Sequence, residues 1–321
     1  MSRSRRSSLA ADVRLVARGW RWTRRPPLPR SAAPHAPPRE PREFPTAWAR
    51  TPPASAVRQA VLAGGFGPLV RATTRVHVEG LDRLDALRAP VVFAAPHASH
   101  VDTPLLLTAL PHSWRRRTAV AAAADYFFDA AWRAAATALA FATFPVERGS
   151  GRISPTAGRL LAERWNLLVY PEGTRSADGW TGSFRHGASW LACAAGVPVV
   201  PIAVRGTFAA MPRGRAWPVR GRPPVTVRIG RPIPTVGPDG EPVHPREVTK
   251  ALRAELARLV DEDTAGWYAS LRRAADGTTP GIDGPDAAPW RRVWESTRPL
   301  PSREQPRVFG DPPTLDPWGR P

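Results

Sequence analysis

An α/β fold, a single domain built on a mixed, largely parallel sheet flanked by helices, with irregular extensions at both ends, is predicted for this chain of 321 residues. Three observations predict it. Short continuous apolar runs at 89–95, 166–170 and 197–204 are bounded by Pro, Gly or polar residues, as strands buried on both faces are. Segments of helical pattern alternate with these runs. Charged and turn-forming residues follow the first two runs directly, and the carboxyl ends of strands are where ligands gather in open α/β sheets.

Taken in order, residues 1–54 form a basic, Pro-rich arm with little capacity to fold, because 26–53 is dense in proline. Within the arm Leu9, Val13, Val16 and Trp20 recur at helical spacing beside Arg14, Arg18 and Arg21, a pattern that suits a basic helix lying on anionic lipid. A second candidate for peripheral attachment is 56–70, with Val57, Val61, Leu62 and Phe66; it suits packing on the core equally. Alternation over Arg75-Val76-His77-Val78-Glu79 reads as a strand with His77 facing solvent. Helices are expected at 124–142, 155–165, 183–195 and 248–260, and strands at 197–204 and 225–229. Residues 55–265 make up the main domain, and 266–321 a Pro-, Gly- and Trp-rich tail that runs across the domain surface, with Trp290, Trp294 and Trp318 packed or at a lipid interface. The uncharged stretch 186–204 approaches a membrane span in length, but Gly196, Pro198 and Pro201 divide it. No transmembrane helix is expected.

The chemistry concentrates in two stretches about seventy residues apart. In Pro96-His97-Ala98-Ser99-His100-Val101-Asp102, His97 closes a predicted strand and Asp102 opens a helix with Pro104 in its first turn. The spacing has a decoy in His77 and Asp82, which lie inside and after the alternating strand; context separates the two pairs. An imidazole with a carboxylate behind it can take the proton of an attacking hydroxyl, and the carboxylate fixes the tautomer. In Tyr170-Pro171-Glu172-Gly173-Thr174-Arg175-Ser176, Gly173 allows close backbone approach and Arg175 offers paired donors to a phosphate or carboxylate. Between them Arg148 stands beside Gly149 after an apolar approach. Cys193, the only cysteine, sits on an apolar helical face and reads as core filler. No metal-ligating cluster is evident and no resident metal or cofactor is expected.

The order of these pieces resembles the glycerolipid acyltransferase family over roughly residues 55–235. The blocks that carry the resemblance are His97 to Asp102, Arg148, Glu172 to Ser176, and the run around Pro201. The resemblance implies that His97 and Asp102 are catalytic. It implies that Arg148, Glu172, Gly173, Thr174 and Arg175 hold a phosphorylated acceptor, and that Pro201 belongs to the donor region or shapes the site. Arg185, in Phe184-Arg185-His186-Gly187, keeps the charge of a family Phe-Lys-x-Gly. Pro96 departs from the pattern, standing where the family often has Asn. The implied reaction moves a fatty acyl group from acyl-CoA or acyl-ACP, as co-substrate, to the hydroxyl of a lysophospholipid, foremost lysophosphatidate, at the cytoplasmic face of a membrane.

The formal charge of +19 raises nucleic acid as a partner, but residues 1–50 alone hold 12 Arg against 3 acids, and no zinc-finger spacing or aromatic RNA-binding signature is present. No nucleic acid is expected as a partner. Two other readings stay open at this level. One is a hydrolase that uses the same His to activate water. The other is a basic lipid- or nucleic-acid-binding protein without catalysis.

Overall fold

The structure, a computed structural model, describes residues 45–123, 131–146, 154–215 and 217–298. The basic arm before residue 45, the acceptor candidate Arg148 and the chain after residue 298 lie outside the described residues.

Seven strands form one sheet: β1 (Arg75–Glu79), β2 (Val92–Ala94), β3 (Thr118–Ala123), β4 (Phe144–Val146), β5 (Asn166–Val169), β6 (Val199–Arg205) and β7 (Pro224–Ile229), in the order β1-β7-β6-β2-β5-β3-β4. All pairings are parallel except β6 with β7. The result is a five-stranded parallel block with an oppositely directed pair added at one edge. The apolar runs read as buried strands occupy its centre: β2 is wholly buried between β5 and β6, where both faces need apolar side chains.

Alternation along β2 divides the interior in two. Val92 and Ala94 point to one layer, where they join Leu167, Val199 and helices α5 (Pro155–Ala162), α6 (Gly187–Ala195) and α7 (Pro245–Ala265). Val91, Phe93 and Ala95 point to the other, with Leu168, Val200, Val227 and helix α3 (Asp102–Ala109). Helices α1 (Pro52–Val61) and α2 (Gly67–Thr73), joined by a π turn over Leu62–Phe66, close that second layer through Leu62 and Val70. Helix α4 (Ala131–Phe141) meets them where the Phe66 and Phe141 rings lie 5.0 Å apart.

Several boundaries differ from the sequence reading, each for a local reason. The arm does not end at 54: the chain is already folded at Ala49, whose carbonyl accepts from the buried Arg58 guanidinium at 2.7 Å, and α1 begins at Pro52 with proline at its first turn. The helix expected from 183 begins at Gly187; the residues before it are drawn to the other loop, where the backbone N–H of Arg185 donates to the carbonyl of Pro171. The helix expected over 248–260 runs from Pro245 to Ala265; the His244 ring caps its start, and Gly266, at φ +82°, stops it. Nor does folded structure stop at 265. Helix α8 (Trp267–Ala275) returns against α7, where Arg273 pairs with Asp261 at 2.8 Å, and α9 (Pro289–Thr297) follows. Between them Ile282 enters the core and its carbonyl accepts from Thr181.

The antiparallel edge carries a buried ion network. Arg228 on β7 meets Glu79 of β1 and Asp263 of α7, and Arg205 on β6 approaches Asp263 at 3.6 Å. A buried guanidinium is tolerable only with such partners. His77 is solvent-facing, as read, and bonds Glu79 at 3.0 Å.

β6 ends at Gly206, whose φ of +91° lies in the left-handed region. A Cβ there would overlap the carbonyl oxygen of Pro224. Gly206→Ala is therefore expected to lower stability by about 1–3 kcal/mol through backbone strain, read as a lower urea midpoint with an unchanged slope.

Candidate active site

Strand register brings the two motifs together. Ala94 on β2 is level with Val169 on β5 and Pro201 on β6, so the chain leaves two adjacent parallel strands at the same height. His97 comes three residues after Ala94, and Glu172 three after Val169. The carboxylate of Glu172 accepts from the backbone N–H of His97 at 2.9 Å with one oxygen and from that of Gly182 at 2.7 Å with the other. The carbonyl of His97 accepts from Ser176 N–H at 2.7 Å. The loop carrying His97 is thus tied through both of the peptide units that flank this residue.

Asp102 opens α3 and is fully buried. Its Oδ2 accepts from His97 Nδ1 at 2.8 Å and from the N–H groups of Ala98 and Ser99, also at 2.8 Å. Three donors converge on one oxygen, which fixes the side chain and leaves Nε2 as the ring nitrogen available for chemistry. Tyr170 lies flat on the imidazole, with ring centroids 4.0 Å apart and planes within 16°, and its hydroxyl bonds Thr103 at 2.8 Å. Burial, and behind it the charge of Asp102, pushes the Tyr170 phenol far above its ordinary value, so it remains neutral.

The His97 ring opens onto a cavity of about 230 Å³. Its polar wall includes His100, Thr103 and the turn Gly173, Thr174 and Arg175, with Arg213 contributed from the loop after β6. Its apolar lining comes from Val120 to Ala123 of β3, Phe141 of α4 and Val146, with Thr137 and Thr143 among them. The one cavity thus offers both cations for an anion and apolar surface for a hydrocarbon chain. Arg148 follows Val146 by two residues but lies outside the described residues.

Other candidates stand apart from the cavity. Glu172, which the resemblance assigns to the acceptor, has both oxygens occupied by backbone donors and does not line the cavity; its position makes it a brace. Burial, which exceeds the opposing effect of those two hydrogen bonds, raises its pKa. Arg185 is exposed and packs beside Gly173, where a Cβ would lie 3.3 Å from its Nε; Gly173, at φ +70°, makes room for that approach as well as for the turn. Pro201 is buried in β6, level with Ala94, and is likewise away from the cavity lining. Sequence reasoning did not single out His100, Tyr170 or Arg213. For His100 and Tyr170 the signal was proximity within the motifs; for Arg213 there was none. Among the described residues no three His, Cys, Asp or Glu side chains are placed to hold a metal ion.

Comparison with known proteins agrees with the geometry. The Acyltransferase family model matches residues 75–205, which include His97, Asp102 and the turn from Glu172 to Arg175. Over this segment the chain is similar to the acyltransferase family. The chain is 31% identical over 144 residues to a chloroplastic 1-acyl-sn-glycerol-3-phosphate acyltransferase of Arabidopsis thaliana, covering 44% of this chain and 38% of that protein. It is 30% identical over 161 residues to a 1-acyl-sn-glycerol-3-phosphate acyltransferase of Chlamydomonas reinhardtii, covering 50% and 47%. It therefore spans less than half the length of these curated relatives. The acyltransferase fold also matches the crystal structure of the 1-acyl-sn-glycerophosphate acyltransferase PlsC from Thermotoga maritima, with a TM-score of 0.50, 24% identity and coverage of 68% of this chain and 87% of that one.

Two outcomes follow for the acyltransferase site. Glu172→Ala takes the acceptor from the part-buried N–H groups of His97 and Gly182, and stability is expected to fall by about 1–2 kcal/mol in chemical denaturation. His100 has its pKa lowered to about 4, first by burial and then by Arg175 and His97. Because the unfolded chain takes up this proton at a higher pH, the folded state is expected to lose stability as pH falls from about 6.5 towards 4. His100→Gln should flatten that part of the pH–stability profile.

Proposed function

We propose that this protein transfers a fatty acyl group from an acyl-CoA or acyl-ACP thioester to the free hydroxyl of a lysophospholipid, foremost 1-acylglycerol-3-phosphate. The observation that carries the reading is the His97–Asp102 pair, 2.8 Å apart, opening on one cavity lined by arginines and by apolar side chains. The curated relatives' names support it. No metal or cofactor is part of this reading.

In the reaction, Nε2 of His97 takes the proton of the acceptor hydroxyl as its oxygen attacks the thioester carbonyl carbon. Asp102 stabilises the resulting imidazolium through Nδ1–H. The tetrahedral intermediate collapses with loss of the carbon–sulfur bond, and the thiolate leaves with the proton held by His97. Ester and free thiol are the products, and the imidazole is neutral again. Arg175 and Arg213 hold the acceptor phosphate, while the wall from Val120 to Ala123 receives an acyl chain. Holding the phosphate at a fixed distance from His97 turns a bimolecular encounter into an oriented one.

Among the described residues no helix is long and apolar enough to cross a membrane. The reading therefore places the protein peripherally, on the cytoplasmic face of the membrane that contains its acceptor, with no nucleic acid partner.

Thiol release from an acyl-CoA, with and without lysophosphatidate, tests the proposal. The wild type should release thiol only with acceptor, and His97→Ala should lower that rate by about 10²- to 10⁴-fold. Arg175→Ala should raise KM for lysophosphatidate more than it lowers kcat. Equal release without acceptor would replace transfer by hydrolysis.

A further inference from the structure

Helix α9 is amphipathic in the reverse sense for a helix packed on a globular domain. Trp290, Val293 and Trp294 fall at i, i+3 and i+4 and so share one stripe, while Arg292 and Ser296 lie on the opposite side. A surface helix ordinarily turns its apolar stripe inward. Here Trp290 is 72% exposed, Trp294 56% and Val293 37%, and no residue of the helix is buried.

The polar side faces the domain and fits closely. Arg292 Nε donates to Asp178 Oδ2 at 2.6 Å, and the remaining guanidinium nitrogens donate to the carbonyls of Pro285 and Asp283, each at 2.7 Å. Ser296 Oγ donates to the carbonyl of Asp178 at 2.5 Å, and Trp180 Nε1 donates to the carbonyl of Arg292 at 2.9 Å. Any Cβ at Gly179 would strike Ser296 and Phe208, and one at Gly284 would overlap Trp180. Such a fit fixes which side of the helix looks outward. The apolar stripe is therefore a built feature of the surface.

We propose that this outer face of α9 docks on an anionic phospholipid bilayer. With Arg292 turned inward onto Asp178, Arg291 and Arg298 are the arginines left to flank the outer face, beside one acid, Glu295. Arg298 lies over the Trp294 ring at 5.6 Å, and Arg291 pairs with Glu295 at 3.0 Å. Indoles settle at the boundary between headgroups and acyl chains, with the ring in the apolar layer and the N–H in the polar one. Guanidinium groups beside them complement lipid phosphates. A basic face with apolar anchors fits an anionic lipid surface in both charge and polarity.

The place of the helix suits a lipid-modifying enzyme, and this part of the argument rests on the proposed function. Asp178, which holds α9, is two residues from Ser176, whose N–H holds the carbonyl of His97. Docking through α9 therefore brings the catalytic turn to the bilayer with it.

The test uses the full chain and vesicles of phosphatidylglycerol with phosphatidylcholine, compared with phosphatidylcholine alone, in co-sedimentation. Wild type should prefer the anionic vesicles, and Trp290→Ser/Trp294→Ser should bind them about tenfold more weakly. Arg291→Gln/Arg298→Gln should lose the preference for anionic lipid. Circular dichroism and the unfolding midpoint of each variant, expected to match wild type, show that the domain is intact. Unchanged vesicle binding by the tryptophan variant overturns the proposal. So does a loss of self-association in sedimentation velocity without a change in lipid binding, which would assign the face to a second copy of the chain. The catalytic reading is separated by a second arm, with a short-chain lysophosphatidate below its micelle concentration. There the tryptophan variant should match wild type, while on vesicle-borne acceptor it should be slower by the same factor as its binding. A wild type that binds vesicles but transfers no acyl group refutes the catalytic reading and leaves docking standing.

Discussion

The parallel, in-register pairing of β2 with β5 is the constraint on which the site depends. Ala94 beside Val169 sets two chain exits at one height, and everything catalytic is measured from there. Because both strands are buried on both faces, a slip by one residue would exchange Val92 and Ala94 for Val91, Phe93 and Ala95 between the two interior layers. Asn166 guards against that slip: it begins β5, and its side-chain oxygen accepts from the backbone N–H of Val91 at 3.1 Å. Register and catalysis are thus secured by the same apolar side chains.

On this base the loops are held mainly by backbone groups. Glu172 joins the peptides of His97 and Gly182, Ser176 holds the carbonyl of His97, and Asp102 gathers two loop N–H groups along with the imidazole. Carboxylates that accept several backbone donors form stronger, shorter bonds than neutral acceptors and rigidify the loop they hold. The site is therefore pre-shaped before any ligand arrives, with its cations and its base on separate elements around one cavity. The edge network of Arg228 performs a different task, joining the antiparallel pair to α7 far from the chemistry.

Much of this architecture was legible in the residues because periodicity reports burial directly. The runs that became β2, β5 and β6 had no polar interruption, and His97 and Asp102 lay at a strand-to-helix junction that any α/β sheet makes functional. What was illegible depends on contacts distant in sequence. Glu172 looks like a ligand-binding residue until its partner ten residues on, Gly182, is seen. Arg213 reaches the cavity from a loop with no pattern of its own. Helix α9 was hidden by a Pro- and Gly-rich neighbourhood and by an apolar face turned outward, so that its residues read as a Trp-bearing tail across the surface and not as a helix. The late start of the helix at Gly187 similarly goes with a preceding segment held to Pro171 through the N–H of Arg185, a bond that propensity does not reveal.

The stack of Tyr170 on His97 has a stereochemical consequence. With one ring face covered by the phenol and Nδ1 held by Asp102, the ring is fixed in orientation and proton exchange is left to Nε2 along one direction in its plane. In the proposed reaction an acceptor hydroxyl approaches along that line while its phosphate reaches the arginines of the cavity. The span between these two points acts as a ruler on the acceptor backbone. Two regioisomers of one lysolipid, equal in charge and apolar area, would present their hydroxyls at different distances along it, so discrimination between them requires no contact with the carbon that distinguishes them.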